Sequence, residues 1–208
     1  MNKIKVVSFY TQTGVYPELS KRLEKSCQKY SVPINLVSKP DLGSWVKNCG
    51  YKSSFILEEL NKTPDGECIV WVDSDGRFES TPYLLIDTEA DFAVRAEPGG
   101  RKKTPAGREE ISLPKHWPSS LTPAWFNSGT IFLRKCQKVI ELCEEWRNLT
   151  QLKVCDWDQW TLQEAWSNTQ PKTEWLPREY CQIDKLHGRD RAVILHDLAS
   201  SIQGVNRK

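Results

Sequence analysis

The chain has 208 residues, with 29 Lys and Arg against 27 Asp and Glu, for a formal net charge of +2. That near-balance lacks the large positive field a general nucleic-acid coating protein depends on. The 38% hydrophobic and 27% charged residues belong to a folded chain, not a disordered one. No apolar run is long enough to span a bilayer, and the apolar part of MNKIKVVSFY is too short for a signal peptide. Seven cysteines, an odd number with no C-x-x-C pair, read as reduced thiols in a cytoplasmic protein with no zinc site. Without a secretory route, the sequons at Asn61 and Asn148 are chance matches. The length suits one domain over residues 1–208, and nine Trp leave open whether their faces fill a core or line a sugar or base site.

Ile4 to Phe9 is a short β-favouring run, followed by the polar loop Tyr10 to Gly14. Pro17 fits the first turn of a helix, along which Leu19, Leu23, Cys27 and Tyr30 recur at helical spacing. Ile34 to Val37 is a second strand, so the opening is β–loop–α–β, the unit of a parallel sheet. A helix is expected over Tyr51 to Leu60, then a turn at Thr63-Pro64-Asp65-Gly66. Cys68 to Val72 is a continuous apolar run bounded by a turn, the pattern of a buried central strand.

Phe92 to Ala96 is a further strand. Residues 97–123 are rich in Pro, Gly, Lys and Arg with little periodicity, and a basic loop of that length is expected to be functional or partly mobile. Gly129 to Leu133 is a strand, Cys136 to Leu149 an amphipathic helix and Asp156 to Trp166 another helix. Short strands near Trp175 and at Val193 to Leu195 close the chain. Strands and helices alternate without an internal repeat. The expected fold is one α/β domain whose central mixed, mostly parallel sheet is flanked by helices.

The sharpest chemical signal is Ile69-Val70-Trp71-Val72-Asp73-Ser74-Asp75. Open α/β sheets bind ligands at the carboxyl ends of their strands, where Asp73 and Asp75 emerge. Two like charges in one turn repel unless a cation lies between them, and hard divalent cations prefer oxygen ligands. The pair therefore reads as a Mg²⁺ or Mn²⁺ site for a phosphate-bearing substrate, against the plainer reading of a solvated turn. Asn127-Ser128-Gly129 enters a strand, where a side-chain amide can hold a sugar hydroxyl and Gly permits close approach. Asp158 opens a helix, where a capping role is its plain explanation. Tyr10, Thr11 and Thr13 lie over the ends of the first strands, where a nucleotide base and ribose would sit. Tyr16 is placed to stack on the base, and Gly14 to turn the chain close to the ligand. The absence of G-x-G-x-x-G disfavours a dinucleotide site.

With VWVDSDGRF followed by Pro82, Phe126-Asn127-Ser128-Gly129-Thr130-Ile131-Phe132-Leu133, Asp158-Gln159-Trp160-Thr161-Leu162, Leu176-Pro177 and the strand ending in His196, the chain resembles the GT-A glycosyltransferases of D-x-D type. The resemblance runs over residues 4 to 197, with the motifs in the family's order. It implies a Rossmann-like fold and transfer of a sugar from a nucleotide-diphosphate donor, with a UDP-sugar first by family habit. It places Asp73 near the ribose and metal, Asp75 as the firm metal ligand and His196 as a third ligand. Ser74, Gly129 and Gln159 fall to the donor, Asn127 and Asp158 to the reacting sugar, and Lys52 to a family Lys that reaches the active site. Asp158 suits either a base or a partner in a retaining reaction, with the resemblance leaning to retention. Further candidate cations for the diphosphate are Arg77, Arg95 and Arg207-Lys208. The chain departs from retaining relatives after His196, where Asp197-Leu198-Ala199 replaces the Gly and Lys that bind diphosphate.

For the acceptor, Arg101-Lys102-Lys103, Arg108, Lys115, His116 and Trp117 read first as a solvated loop over the donor. The second reading is a grip on DNA bearing hydroxymethylated bases, resembling small viral enzymes of this type. A glycan or protein hydroxyl stays equally open, as does the oligomeric state. Outside this class stand a sugar nucleotidyltransferase, whose Gly-rich opening Tyr10-Thr11-Gln12-Thr13-Gly14 does not supply, and a non-catalytic nucleic-acid-binding α/β protein.

Overall fold

The computed structural model describes residues 2–98, 124–153 and 157–199. Its first half follows the expected alternation: β1 (Ile4–Thr11), α1 (Tyr16–Lys29), β2 (Ile34–Lys39), α2 (Trp45–Lys62), β3 (Cys68–Val72), β4 (Gly76–Phe78) and α3 (Tyr83–Asp87). The second half holds β5 (Phe92–Pro98), β6 (Ala124–Arg134), α4 (Gln137–Leu152), α5 (Asp158–Thr169) and β7 (Thr173–Trp175). A 3₁₀ turn (Arg178–Cys181), β8 (Gln182–Ile183), α6 (Asp184–His187) and β9 (Ile194–His196) follow.

The main sheet has the order β2-β1-β3-β6-β5-β7. Its pairs are parallel at β1/β2, β1/β3 and β5/β7, and antiparallel on both sides of β6. Only β6 therefore runs against the rest, and the sheet is mixed and mostly parallel, as expected from the β–α–β opening. A second sheet, β4-β9-β8, continues beyond the carboxyl end of β3. β4 has no counterpart in the sequence reading, because three residues in a turn-rich stretch carry no readable period.

The core lies on both faces of the main sheet. All five residues of β3 are buried, as a continuous apolar run demands. Ile69 and Trp71 face one way, into a cluster with Phe55 and Leu60 of α2, Leu142 and Trp146 of α4 and Leu162 of α5. Cys68, Val70 and Val72 face the other, with Leu23 and Cys27 of α1. That is the two-residue strand period sorting one segment into two cores. Cys27, Cys49, Cys68, Cys136, Cys143 and Cys181 are free thiols. Among the described residues, no helix is long and apolar enough to cross a membrane.

Most boundaries differ by a few residues from the sequence reading: β1 runs on to Thr11, taking in Tyr10 and Thr11 of the expected loop, and α5 begins at Asp158. α2 begins at Trp45, a turn and a half before Tyr51, because Ser44 is extended and its hydroxyl accepts the Lys47 N–H as an N-cap. β6 begins at Ala124, well before Gly129. β9 is shifted one residue, to Ile194–His196. Residues 99–123, which hold almost all of the basic loop, and Arg207-Lys208 lie outside the described residues.

Candidate active site

Beyond the ends of β1 and β3 lies a cavity of about 470 Å³, within the usual span of small-molecule sites, about 300–1,000 Å³. Tyr10, Thr11, Thr13, Tyr16, Lys52, Asp73, Ser74, Asp75, Asn127, Gly129, Asp158 and Gln159 all line it. His196 lies beneath, buried. Residues far apart in the chain thus meet at the crevice that an α/β sheet leaves outside its carboxyl ends.

The Asp73–Asp75 turn joins the two sheets. The Asp73 N–H donates to the Gly129 carbonyl at 2.8 Å, fixing the turn to β6. The Gly76 N–H donates back to the Asp73 carbonyl at 2.7 Å, and the Asp197 N–H to the Asp75 carbonyl at 3.1 Å, fixing it to β9. Gly76 is required by space: a Cβ there would stand 2.5 Å from Val72 Cγ1 and 3.0 Å from both the Asp73 carbonyl and His196 Cε1.

A bulge aims the next group. One step along β5, from Val94 to Arg95, is matched on β6 by the step from Ile131 to Asn127. Ser128, Gly129 and Thr130 are surplus to that pairing, and such an excess re-aims side chains out of a ladder. Asn127 Oδ1 accepts the Gly129 N–H at 3.1 Å and the Cys181 thiol at 3.1 Å. Ser128 Oγ donates to Asp158 Oδ2 at 2.6 Å.

Lys52 is the hub. Its ammonium, buried at 4% exposure, lies 2.8 Å from Asp158 Oδ2 and 3.0 Å from Asp73 Oδ1. It also donates to the Ser128 carbonyl at 3.2 Å and to Ser128 Oγ at 3.1 Å. Burial by itself would push its pKa down; Asp158 and Asp73 overcome that and hold it above the ordinary lysine range. Asp158 is not the helix cap: Trp157 holds that position, and the Asp158 carboxylate goes to Lys52 and Ser128 instead. The buried Trp146 of α4 donates its indole N–H to the Asp158 carbonyl at 2.9 Å, so the core sets the start of α5.

The two D-x-D carboxylates have different surroundings. Burial raises the Asp73 pKa above the ordinary carboxylate value, and the Asp75 charge adds to it against the pull of Lys52. Its Oδ1 accepts from Trp71 Nε1 at 2.8 Å. Burial would raise Asp75 too, but His196 and the Ala199 N–H, at 2.8 Å from Oδ2, hold it below the ordinary value. His196 Nδ1 lies 3.3 Å from Asp75 Oδ1, and Nε2 lies 3.0 Å from Thr130 Oγ1. Burial opposes its protonation, but Cys181 and Asp75 carry its pKa well above the ordinary histidine value.

The donor set suits a hard divalent cation in its chemistry, with two carboxylates on the cavity wall and an imidazole behind one of them. In the arrangement present, His196 holds Asp75 through Nδ1. Among the described residues, no three His, Cys, Asp or Glu side chains are placed to hold a metal ion, so Asp73, Asp75 and His196 do not stand as a ready three-ligand set.

The other candidate cations fall elsewhere. Arg77 pairs with Glu79 at 2.7 Å and Asp197 at 2.6 Å, and does not line the cavity. Arg95 is buried under the bulge, donating to the Cys181 carbonyl, also away from the lining. Lys52 is therefore the one Lys or Arg among the described lining residues, where it meets Asp41, Asp73, Asp75 and Asp158.

Sequence reasoning missed several lining residues. Asp41 accepts from Asn48 Nδ2 and the Gly43 N–H, each at 2.9 Å, and from Thr13 Oγ1 at 3.1 Å. Those bonds hold its carboxyl below the ordinary value. Tyr16, the first residue of α1, stays a neutral phenol, because burial, Cys49 and the acids Asp75, Asp73 and Asp41 all push its pKa up. Gly14 has φ +61°, the left-handed turn expected of it before α1. Trp45, Trp125 and Trp157 add an aromatic wall. The signal for Trp45 was present in Gly43-Ser44: a capped start there puts Trp45, Asn48, Cys49 and Lys52 on one helix face.

No family model matches the chain, and no curated protein matches it by sequence. Its structure is similar to the crystal structure of a glycosyltransferase involved in the glycosylation of the major capsid of PBCV-1. The two share 15% sequence identity, the TM-score is 0.68, and the alignment covers 96% of each chain. At that identity the likeness shows the fold alone: one Rossmann-like α/β domain, its layers matched along nearly the whole length of both chains.

Proposed function

We propose that the protein is a metal-dependent glycosyltransferase that moves a sugar from a nucleotide-diphosphate donor, a UDP-sugar first, to an acceptor hydroxyl. The observation that carries the reading is the convergence of Asp73, Asp75, Asn127 and Asp158 on one cavity at the carboxyl end of β3. The cavity charge points the same way. Asp41, Asp73, Asp75 and Asp158 line the cavity with Lys52, which is already ion-paired to Asp73 and Asp158. A diphosphate needs added positive charge to enter such a site.

Asp73 and Asp75 would hold Mn²⁺ or Mg²⁺, with His196 joining once its Nδ1 gives up the hydrogen bond to Asp75. The ion would stabilise charge on the departing nucleoside diphosphate. The chain's own groups do the rest. Thr11, Thr13 and Tyr16 hold the nucleoside end, and Ser74, Gly129 and Gln159 the sugar-phosphate. Asn127 orients the sugar. Lys52 positions Asp73 and Asp158 relative to each other. Asp158, on the face of the reacting sugar, either takes the acceptor proton or stabilises the sugar cation of a retaining reaction.

The test is a donor screen with UDP-, GDP-, ADP- and CMP-sugars, with and without Mn²⁺, reading released nucleotide and binding. Slow metal-dependent release of one nucleotide is expected, and Asp75→Ala abolishes it. Unchanged binding in that variant would sink the site assignment. No binding of any donor would favour the non-catalytic reading.

A further inference from the structure

Trp157 and Trp45 form a corner of the cavity wall that neither the nucleotide nor the metal reading uses. Trp157 stacks on the buried Trp160, with ring centroids 6.1 Å apart and planes 5° from parallel. Trp45 meets Trp157 edge to face at 6.5 Å and 89°. The stack fixes the Trp157 plane from behind, while both Trp157 and Trp45 stay half-buried and face the cavity.

The corner adjoins the reacting groups through the chain itself. Trp157 directly precedes Asp158, and Trp45 lies two helical turns before Lys52 on the same face of α2. A flat ligand on Trp157 therefore shares the cavity with Asp158.

Resting on the transferase reading above, we propose that this corner is the acceptor platform and that the acceptor is a saccharide. A pyranose offers a CH-rich face to an indole and a rim of hydroxyls to the carboxylates and amides around it. A nucleobase also stacks on an indole, but it arrives on a polyanionic strand. The described lining presents Asp41, Asp73, Asp75 and Asp158 against one ammonium already paired. Those described carboxylates disfavour a polyanionic strand and can accept hydrogen bonds from the hydroxyls of a neutral sugar.

Saturation-transfer NMR on the full chain tests this, alone and with UDP and Mn²⁺. The probes are lactose, maltose, cellobiose, mannobiose and chitobiose, and a single-stranded oligodeoxynucleotide carrying 5-hydroxymethylcytosine. One disaccharide is expected to receive saturation on the CH protons of one ring face. Trp157→Ala should weaken that binding on the order of tenfold or more, with Trp157→Phe retaining most of it. Trp45→Ala serves as the second variant. Binding of the oligonucleotide but no disaccharide would overturn the proposal. So would displacement of the sugar by UDP alone, or wild-type sugar binding in both Ala variants. Saccharide binding that depends on Trp157 in a protein that binds no nucleotide-sugar would keep the platform and reject the transferase reading.

Discussion

Replacing Lys52 with Met removes a buried ammonium and keeps an unbranched apolar stem, one atom shorter. The Asp158 carboxylate, with a side chain 6% exposed, then loses its 2.8 Å partner, and the more exposed Asp73 loses its 3.0 Å partner. Ser128 Oγ, at 2.6 Å, still donates to Asp158, but a hydroxyl brings no positive charge. Breaking a buried pair from one side typically costs about 3–5 kcal/mol, because the remaining charge stays desolvated. For a domain of this size that lowers Tm by about 6–20 °C. The assay is thermal unfolding of wild type, Lys52→Met, Asp158→Asn and the double variant. The double variant should be more stable than Lys52→Met alone, since it removes the stranded charge, with a coupling of about 1–3 kcal/mol. A loss below about 1 kcal/mol in Lys52→Met, or strict additivity in the cycle, would refute the hub role.

Gly76→Ala should cost about 1–3 kcal/mol in denaturant unfolding, because the new methyl overlaps the stiff, buried Val72 and the backbone of the Asp73 turn. The same variant should weaken Mn²⁺-dependent donor binding, and an unchanged midpoint would show the turn to be compliant. At Glu59, burial would raise the carboxyl, but the hydrogen bonds from Lys62 and Asn35, both 2.7 Å, hold it below the ordinary value. A depressed folded-state pKa contributes stability that is present above the ordinary glutamate value and is lost as pH falls through the lower one. Glu59→Gln should therefore be less stable than wild type by about 1 kcal/mol at pH 7. The gap should close below about pH 4; a pH-independent gap would mean packing, not charge, is at work there.

Much of this molecule was legible as sequence. A strand buried on both faces must be apolar at every position, so Cys68 to Val72 announced its place and, with it, the point where Asp73 and Asp75 emerge. The helix over Gln137–Leu152 was equally plain, because its buried Val139, Leu142, Cys143, Trp146 and Leu149 repeat at the helical period. Asn127 and Asp158 were singled out by the order of the motifs around them along the chain, and both line the cavity. Local patterns of this kind reflect forces acting between near neighbours, and those the sequence carries directly.

Other features exist only in three dimensions. Nothing near Lys52 in the sequence says that it will be buried between Asp73 and Asp158, since each comes from a different element and only the packed sheet brings them together. The same holds for the bulge on β6, where the β5 pairing shifts between Val94 and Arg95 just as the β3 pairing ends at Thr130. Trp157 and Trp45 became a wall only when α2 and α5 met, and Arg77 and Arg95 left the candidate cations when Asp197 and the Cys181 carbonyl claimed them. The physical reason is common to all of these. Burial makes a polar or charged group take a partner wherever the fold offers one, and the nearest partner in space is set by the packing of whole elements.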